Sequence, residues 1–214
     1  MRNLLVGFGG LGRLMSVPTG ELIRAGLSEQ AAVLLSLTLA LYGRGEIAAL
    51  SADARLDSAE RQADYFARHY IGLRDERLSM LLLDRACKPL AFVSFADGGV
   101  GNTAVDLRKI TELAIYHGAS SVALAHNHPG GTPIPSSEDI HATIAVDSAL
   151  ASVGVLLDEH YVLVGRSFVP IRLYSDEMMT VRPPEFYGDA SFSEIRRRNS
   201  ATFSPLRRLG LRES

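Results

Sequence analysis

At 214 residues the chain is long enough for one medium domain, alone or with a small appendage, and too short for two large ones. Apolar residues make up 47% and charged residues 21%, a balance that lets a chain fold on its own core without staples. Lys and Arg number 22 against 24 Asp and Glu, a formal charge of -2, which excludes a whole-protein basic field for nucleic acid, and the lone Cys87 excludes a disulfide framework or Cys-rich zinc knuckle and fits a reducing compartment, with cytoplasm as the default.

Met1 to Leu14 begins with one Arg and an apolar stretch, but glycines at 7, 9, 10 and 12 break it and no cleavage site follows Met15, so a folded N-terminus is expected rather than a signal peptide. The same glycines satisfy G-x-G-x-x-G. A dinucleotide site is rejected because Pro18 interrupts the helix that would follow and no acidic-ended second strand appears about 20 positions on. Two helices fit next, Thr19 to Ala25 and Glu29 to Tyr42, joined by Gly26-Leu27-Ser28, where glycine tolerates positive φ and Ser28 caps the next helix. The apolar run Ala31 to Tyr42 falls short of the roughly 20 residues that span a bilayer, so it predicts a buried helix and no membrane contact. Ser51 to Asp57 has linker composition, and Ser58 to Tyr70 carries Ala63, Phe66 and Tyr70 at helical spacing.

Leu78 to Leu83 and Leu90 to Phe95 are compact apolar runs around a turn at Ala86 to Pro89, which predicts an antiparallel hairpin. Asp106 to His117 reads as a helix, and Ser121 to Ala125 as a strand running straight into His126. Ser136 to Ser152 is helical, and Val153 to Leu157 and Tyr161 to Val164 complete the sheet. Strands and helices mix without strict alternation, which predicts an α/β domain over 58–173 after a helical region at 1–50. The tail, 175–214, holds Pro183-Pro184, Arg196-Arg197-Arg198 and Arg207-Arg208 and reads as a solvated, flexible basic segment.

The chemistry is concentrated in His126-Asn127-His128-Pro129 and, six residues on, Ser136-Ser137-Glu138-Asp139. If the strand continues through the first histidine, side chains 126 and 128 share one face and two imidazoles can reach one ion. The turn-rich loop 130–135 swings the chain back and presents Asp139 on the next helix as a third ligand. Two histidines and a carboxylate leave one coordination position open, the requirement of a catalytic rather than a structural zinc site. Such an ion lowers the pKa of water from about 15.7 to about 7, and a carboxylate outside the ligand set is needed to carry the proton. A His-x-His alone is more often a polar loop, and Ser136 with Asp139 alone is a helix cap; it is their conjunction at fixed offsets that points to a metal.

The stretch His126 to Asp139 resembles the JAMM (MPN-type) metallopeptidase signature, H-x-H-P-x6-S-x-x-D, and His-Asn-His-Pro-Gly-Gly-Thr-Pro-Ile-Pro-Ser resembles its RadC branch. The likeness reaches from about residue 60 to 173 and implies a cytidine-deaminase-like mixed sheet flanked by helices. It implies one zinc ion per chain on His126, His128 and Asp139, with Glu76 before the first strand as the base and Glu112 as its rival. Ser136 would steady the oxyanion of a peptide or isopeptide carbonyl. The substrate would be a protein or peptide. The chain departs from the pattern at Asp97 to Thr103, and where an adjacent Asp-His is usual it has Asp158-Glu159-His160, which leaves open which acid pairs with the histidine. The N-terminal hairpin resembles a shortened helix-hairpin-helix region. The family's association with DNA repair therefore implies a second reading: a DNA-binding or protein-interaction module with a structural or vestigial metal, touching DNA weakly through that hairpin or the Arg-rich tail.

Overall fold

The computed structural model describes residues 17–50, 54–95, 106–129 and 131–174. The glycine-rich start, the loop Asp97 to Thr103 and the basic tail lie outside the described residues. The elements are α1 (Thr19–Arg24), α2 (Glu29–Ala48), α3 (Ala59–His69), β1 (Leu78–Leu83), β2 (Pro89–Ser94), α4 (Leu107–Tyr116), β3 (Ser121–Asn127), α5 (Ser137–Ser152), β4 (Leu156–Val164), β5 (Ser167–Pro170) and a closing 3-10 turn, Ile171–Tyr174.

Four helices begin where the sequence offers a side-chain acceptor. Ser28, Ser58, Asp106 and Ser136 take the amides of Ala31, Arg61, Lys109 and Asp139, each cap contributing about 1 kcal/mol. The β1–β2 hairpin is closed by Asp84, whose Oδ1 accepts the amides of Ala86 and Lys88, both at 2.8 Å.

The five strands pair in the order β2-β1-β3-β4-β5, with β3 and β4 parallel and the other neighbours antiparallel. β1 and β3 are buried along their whole length because helices cover both faces. On one face Leu81, Leu83, Ala123, Ala125 and Tyr161 meet Ala63 and Phe66 of α3. On the other, Met80, Leu82, Val122, Leu124 and Leu157 meet Ile110 and Ala114 of α4 and Val146 and Leu150 of α5. The alternation of period two along each strand thus feeds two cores, and the result is a three-layer mixed α/β fold.

A bulge in β4 decides what the site looks like. Val122 pairs with Leu157 and Ala123 with Glu159, so Asp158 is an additional residue on β4. One extra residue reverses the face to which everything downstream points. His160 therefore turns toward α5, beside Leu124, and Tyr161 toward α3. Asp158 is held on the α3 side by Gln62 Nε2 at 3.0 Å and the Ser121 hydroxyl at 3.1 Å.

Three expectations are corrected. β4 is one strand of nine residues, not two short ones, because its central Asp158, Glu159 and His160 are buried with polar partners instead of interrupting it. The stretch before α3 is not simply a linker: Leu56 is buried in the core and its amide donates to the carbonyl of Cys87 at 2.8 Å. The apolar helix is longer than expected and largely exposed. Leu34, Leu37, Leu41 and Tyr42 of α2 are each more than half accessible, since apolar side chains surround the helix and only one line of contact is covered. That line includes Ala32, against Leu22 of α1, and Gly43, where an added Cβ would come within 3.3 Å of Ile71. At 20 residues α2 is also long and apolar enough to cross a bilayer by length and composition. Glu46 near its end is bound instead into an ion cluster, 3.2 Å from both Arg68 and Arg166.

Candidate metal centre

β3 does continue through the first histidine, and the register puts His126 on the α5 side, fully buried at the end of the Val122, Leu124 series. His128 follows just past the strand, its amide donating to the carbonyl of Leu163 at 2.9 Å. The two Nε2 atoms stand 3.0 Å apart. Asp139, on the first turn of α5, brings Oδ1 to 3.4 Å from Nε2 of His126. Glu76, two residues ahead of β1, completes the convergence: ligand atoms of Glu76, His126 and His128 all lie within 4.8 Å of one another.

Each of these side chains is held by something behind it. The other oxygen of Asp139 accepts the amide and the hydroxyl of Ser136, both at 2.7 Å, while the Ser136 hydroxyl accepts the Asp139 amide at 3.1 Å. This reciprocal capping box is the arrangement expected of Ser-x-x-Asp, and it leaves Oδ1 facing His126. Nδ1 of His128 lies 2.9 Å from the carbonyl of Thr132. Nδ1 of His126 lies 2.9 Å from Nε2 of His160, whose own Nδ1 is 2.7 Å from the Thr143 hydroxyl. Thr143 in turn donates to the carbonyl of Asp139 at 2.6 Å.

Glu76 is positioned through its neighbours. The side chain of Asn127 accepts the amide of Arg77 at 2.9 Å and donates to the carbonyl of Asp75 at 3.1 Å. The residue between the two histidines thus clips the segment carrying Glu76 to the end of β3.

Electrostatics follow from burial and proximity. Burial alone would raise the Asp139 carboxyl, but the adjacent His126 imidazole and the two bonds from Ser136 outweigh it and hold the carboxyl well below the usual carboxylate range. Burial, reinforced by His126 and partly offset by Asp139, pushes His160 well below the usual histidine range.

The donor set suits a zinc-type ion. Nitrogens bound about 2.05 Å from a tetrahedral centre would be ~3.3 Å apart, close to the 3.0 Å seen between the two Nε2 atoms. Imidazole and carboxylate are the ligand types such an ion takes. A cavity of about 660 Å³ opens beside His128 and Asn127, between the start of α1, the end of α3 and the β4–β5 turn.

All five residues singled out from the sequence therefore meet in one place, whereas Glu112 does not: it is exposed on α4 and takes a 2.7 Å hydrogen bond from Arg108. The open question about His160 resolves to neither acid. Glu159 accepts the backbone amides of His160 and Arg172, Asp158 faces α3, and the His160 ring serves His126. His160 was singled out from the sequence but without its partner; Asn127 and Thr143 are the contributors that motif reasoning missed. Thr143 left a trace in standing one helical turn after Asp139, and Asn127 in standing between the two histidines.

The fold and the site together are those of a JAB/MPN-type domain: a mixed sheet whose central strand ends in His-x-His beside an aspartate at the next helix N-terminus. Comparison with known proteins narrows this. A family model described as RadC-like JAB domain matches residues 56–173. A UPF0758 protein of Neisseria meningitidis serogroup B is 34% identical over 173 residues, covering 80% of this chain and 76% of the relative. One from Herminiimonas arsenicoxydans is 31% identical over 166 residues, covering 77% and 74%, and one from Porphyromonas gingivalis is 38% identical over 91 residues, covering 42% and 40%. The chain belongs to the RadC-like JAB domain family.

Proposed function

We propose that the protein is a zinc-dependent hydrolase that cleaves a peptide or isopeptide bond, with His126, His128 and Asp139 holding one ion and Glu76 acting as general base. The observation that carries this reading is the convergence of Glu76, His126 and His128 on a common point with Asp139 against His126. A bound divalent cation there would supply Lewis-acid chemistry, polarising a carbonyl and acidifying water.

Two carboxylates compete for the role of third ligand, and their settings separate them. Asp139 is buried, with one oxygen tied to Ser136 and the other turned to His126. Glu76 lies at the rim, on a backbone segment clipped by Asn127. A buried, oriented carboxylate suits a permanent ligand; a rim carboxylate suits proton traffic. Glu76 takes the proton of the attacking water and returns it to the leaving amine. Ser136 both caps α5 and, by turning its hydroxyl from Asp139, donates to the oxyanion as it develops. The cavity beside His128 is the approach for a protein or peptide chain.

The test is metal content followed by turnover. Purified protein should hold about one zinc per chain; Asp139→Asn should lose it, and Glu76→Gln should keep it. Zinc-loaded protein is then incubated with a peptide and isopeptide library and new termini are read by mass spectrometry, with Glu76→Gln as the control. Metal-free wild type, or cleavage undiminished in Glu76→Gln, would refute the assignment.

A further inference from the structure

We infer that Thr143 and His160 are positioning residues that set the tautomer of His126, so that its Nε2 presents a lone pair to the metal. The inference rests on the reading of His126 as a metal ligand. The direction of this hydrogen-bond relay is dictated at its far end. Oγ1 of Thr143 and the carbonyl oxygen of Asp139 are 2.6 Å apart, and two oxygens at that distance require a proton between them, which only the hydroxyl can supply. With its one proton spent, Oγ1 must accept from His160, 2.7 Å away, so Nδ1 of His160 carries a hydrogen. Nε2 of the His160 ring is then the acceptor facing Nδ1 of His126 at 2.9 Å, and His126 must donate from that atom. Its Nε2, turned to His128 and Asp139, is left bare.

His128 reaches the same state by a shorter route, because Nδ1 faces the carbonyl of Thr132, which can only accept. His126 has no carbonyl at Nδ1. It borrows one through Thr143 and His160, and the carbonyl it borrows belongs to Asp139 itself. Ligand and tautomer are thereby tied to the same turn of α5. The bulge at Asp158 is part of the device, since it is what turns His160 to this side of the sheet. A hydrogen bond behind a metal-bound imidazole typically changes metal affinity by about 10- to 100-fold.

Two measurements test this. In metal-free wild type labelled with ¹⁵N at histidine, long-range proton–nitrogen spectra should show His126 protonated at Nδ1 and His160 protonated at Nδ1 but not Nε2. Chelator competition should give Thr143→Val about 10- to 100-fold weaker zinc binding, while Thr143→Ser, which keeps the hydroxyl, stays near wild type. A bare Nδ1 on His126 facing a protonated Nε2 on His160 would overturn the inference, and the wild-type spectrum reads this directly even if Thr143→Val fails to fold. Folded Thr143→Val with wild-type zinc affinity would overturn it as well. Wild type showing these tautomers yet taking up no zinc would refute the metal reading instead.

Discussion

Replacing Asn127 with alanine separates the placing of Glu76 from the binding of metal. The side chain makes two hydrogen bonds, at 2.9 and 3.1 Å, to the backbone on either side of Glu76. Each contributes about 0.5 to 1.5 kcal/mol, so their loss should cost ~2 kcal/mol, or roughly 5 to 10 °C in Tm for a domain of this size. The imidazoles on either side of Asn127 are anchored independently, by His160 and Thr132, and Asp139 by Ser136. Zinc stoichiometry should therefore remain that of wild type. Turnover should fall by about 100-fold, the typical consequence of displacing a reacting group by ~1 Å. The assays are thermal unfolding, metal analysis and cleavage of whichever substrate the library yields. An Asn127→Ala protein with unchanged Tm, or one that loses its metal while folded, would refute the claim that this side chain acts on the Glu76 segment.

Gln62 ties α3 to β4 and to the stretch before α3 from a fully buried position: it donates to the carbonyl of Leu56 and to Asp158, and accepts the Tyr161 hydroxyl. Gln62→Leu should cost about 3 kcal/mol or more by leaving buried polar groups short of partners, read as a lowered denaturation midpoint. Stability should also fall on mild acidification. His69, stacked on Phe92 at 3.9 Å, has its pKa lowered by burial, partly countered by its bond to the Tyr65 carbonyl. A histidine whose folded pKa lies below its unfolded value of about 6.5 contributes stability that is complete above that pH and is lost as pH drops toward the folded pKa. Unfolding of metal-free protein between pH 7.5 and about 5 should show this slope, to which buried His160 adds with the same sign, and His69→Gln should make it shallower; an unchanged slope would refute the contribution of His69.

Much of the layout was legible because it rests on local chemistry. The spans of β1, α3, α4 and α5 came out within a residue or two, since apolar periodicity and a capping Ser or Asp mark their limits. The readings that failed share one cause. β4 was split at Asp158, and α2 was taken as buried, because composition measures what a residue prefers and not which partner it meets. Three consecutive polar residues can lie inside a buried strand once Gln62, Arg172 and His126 are there to receive them.

By itself the sequence determined the candidate ligand set: strand periodicity brings residues 126 and 128 to one side, and a capping box fixes Asp139 on the following turn. Both begin as short-range geometry, and the Leu163 carbonyl then holds the His128 amide just past the strand end. Tertiary structure alone decided what stands behind those side chains. That Asn127 clips a segment 52 positions earlier, and that a single bulged residue rotates His160 toward Thr143, depend on strands paired across the whole domain. Facing direction in a sheet is a matter of register, and register exists only once the neighbouring strand is in place.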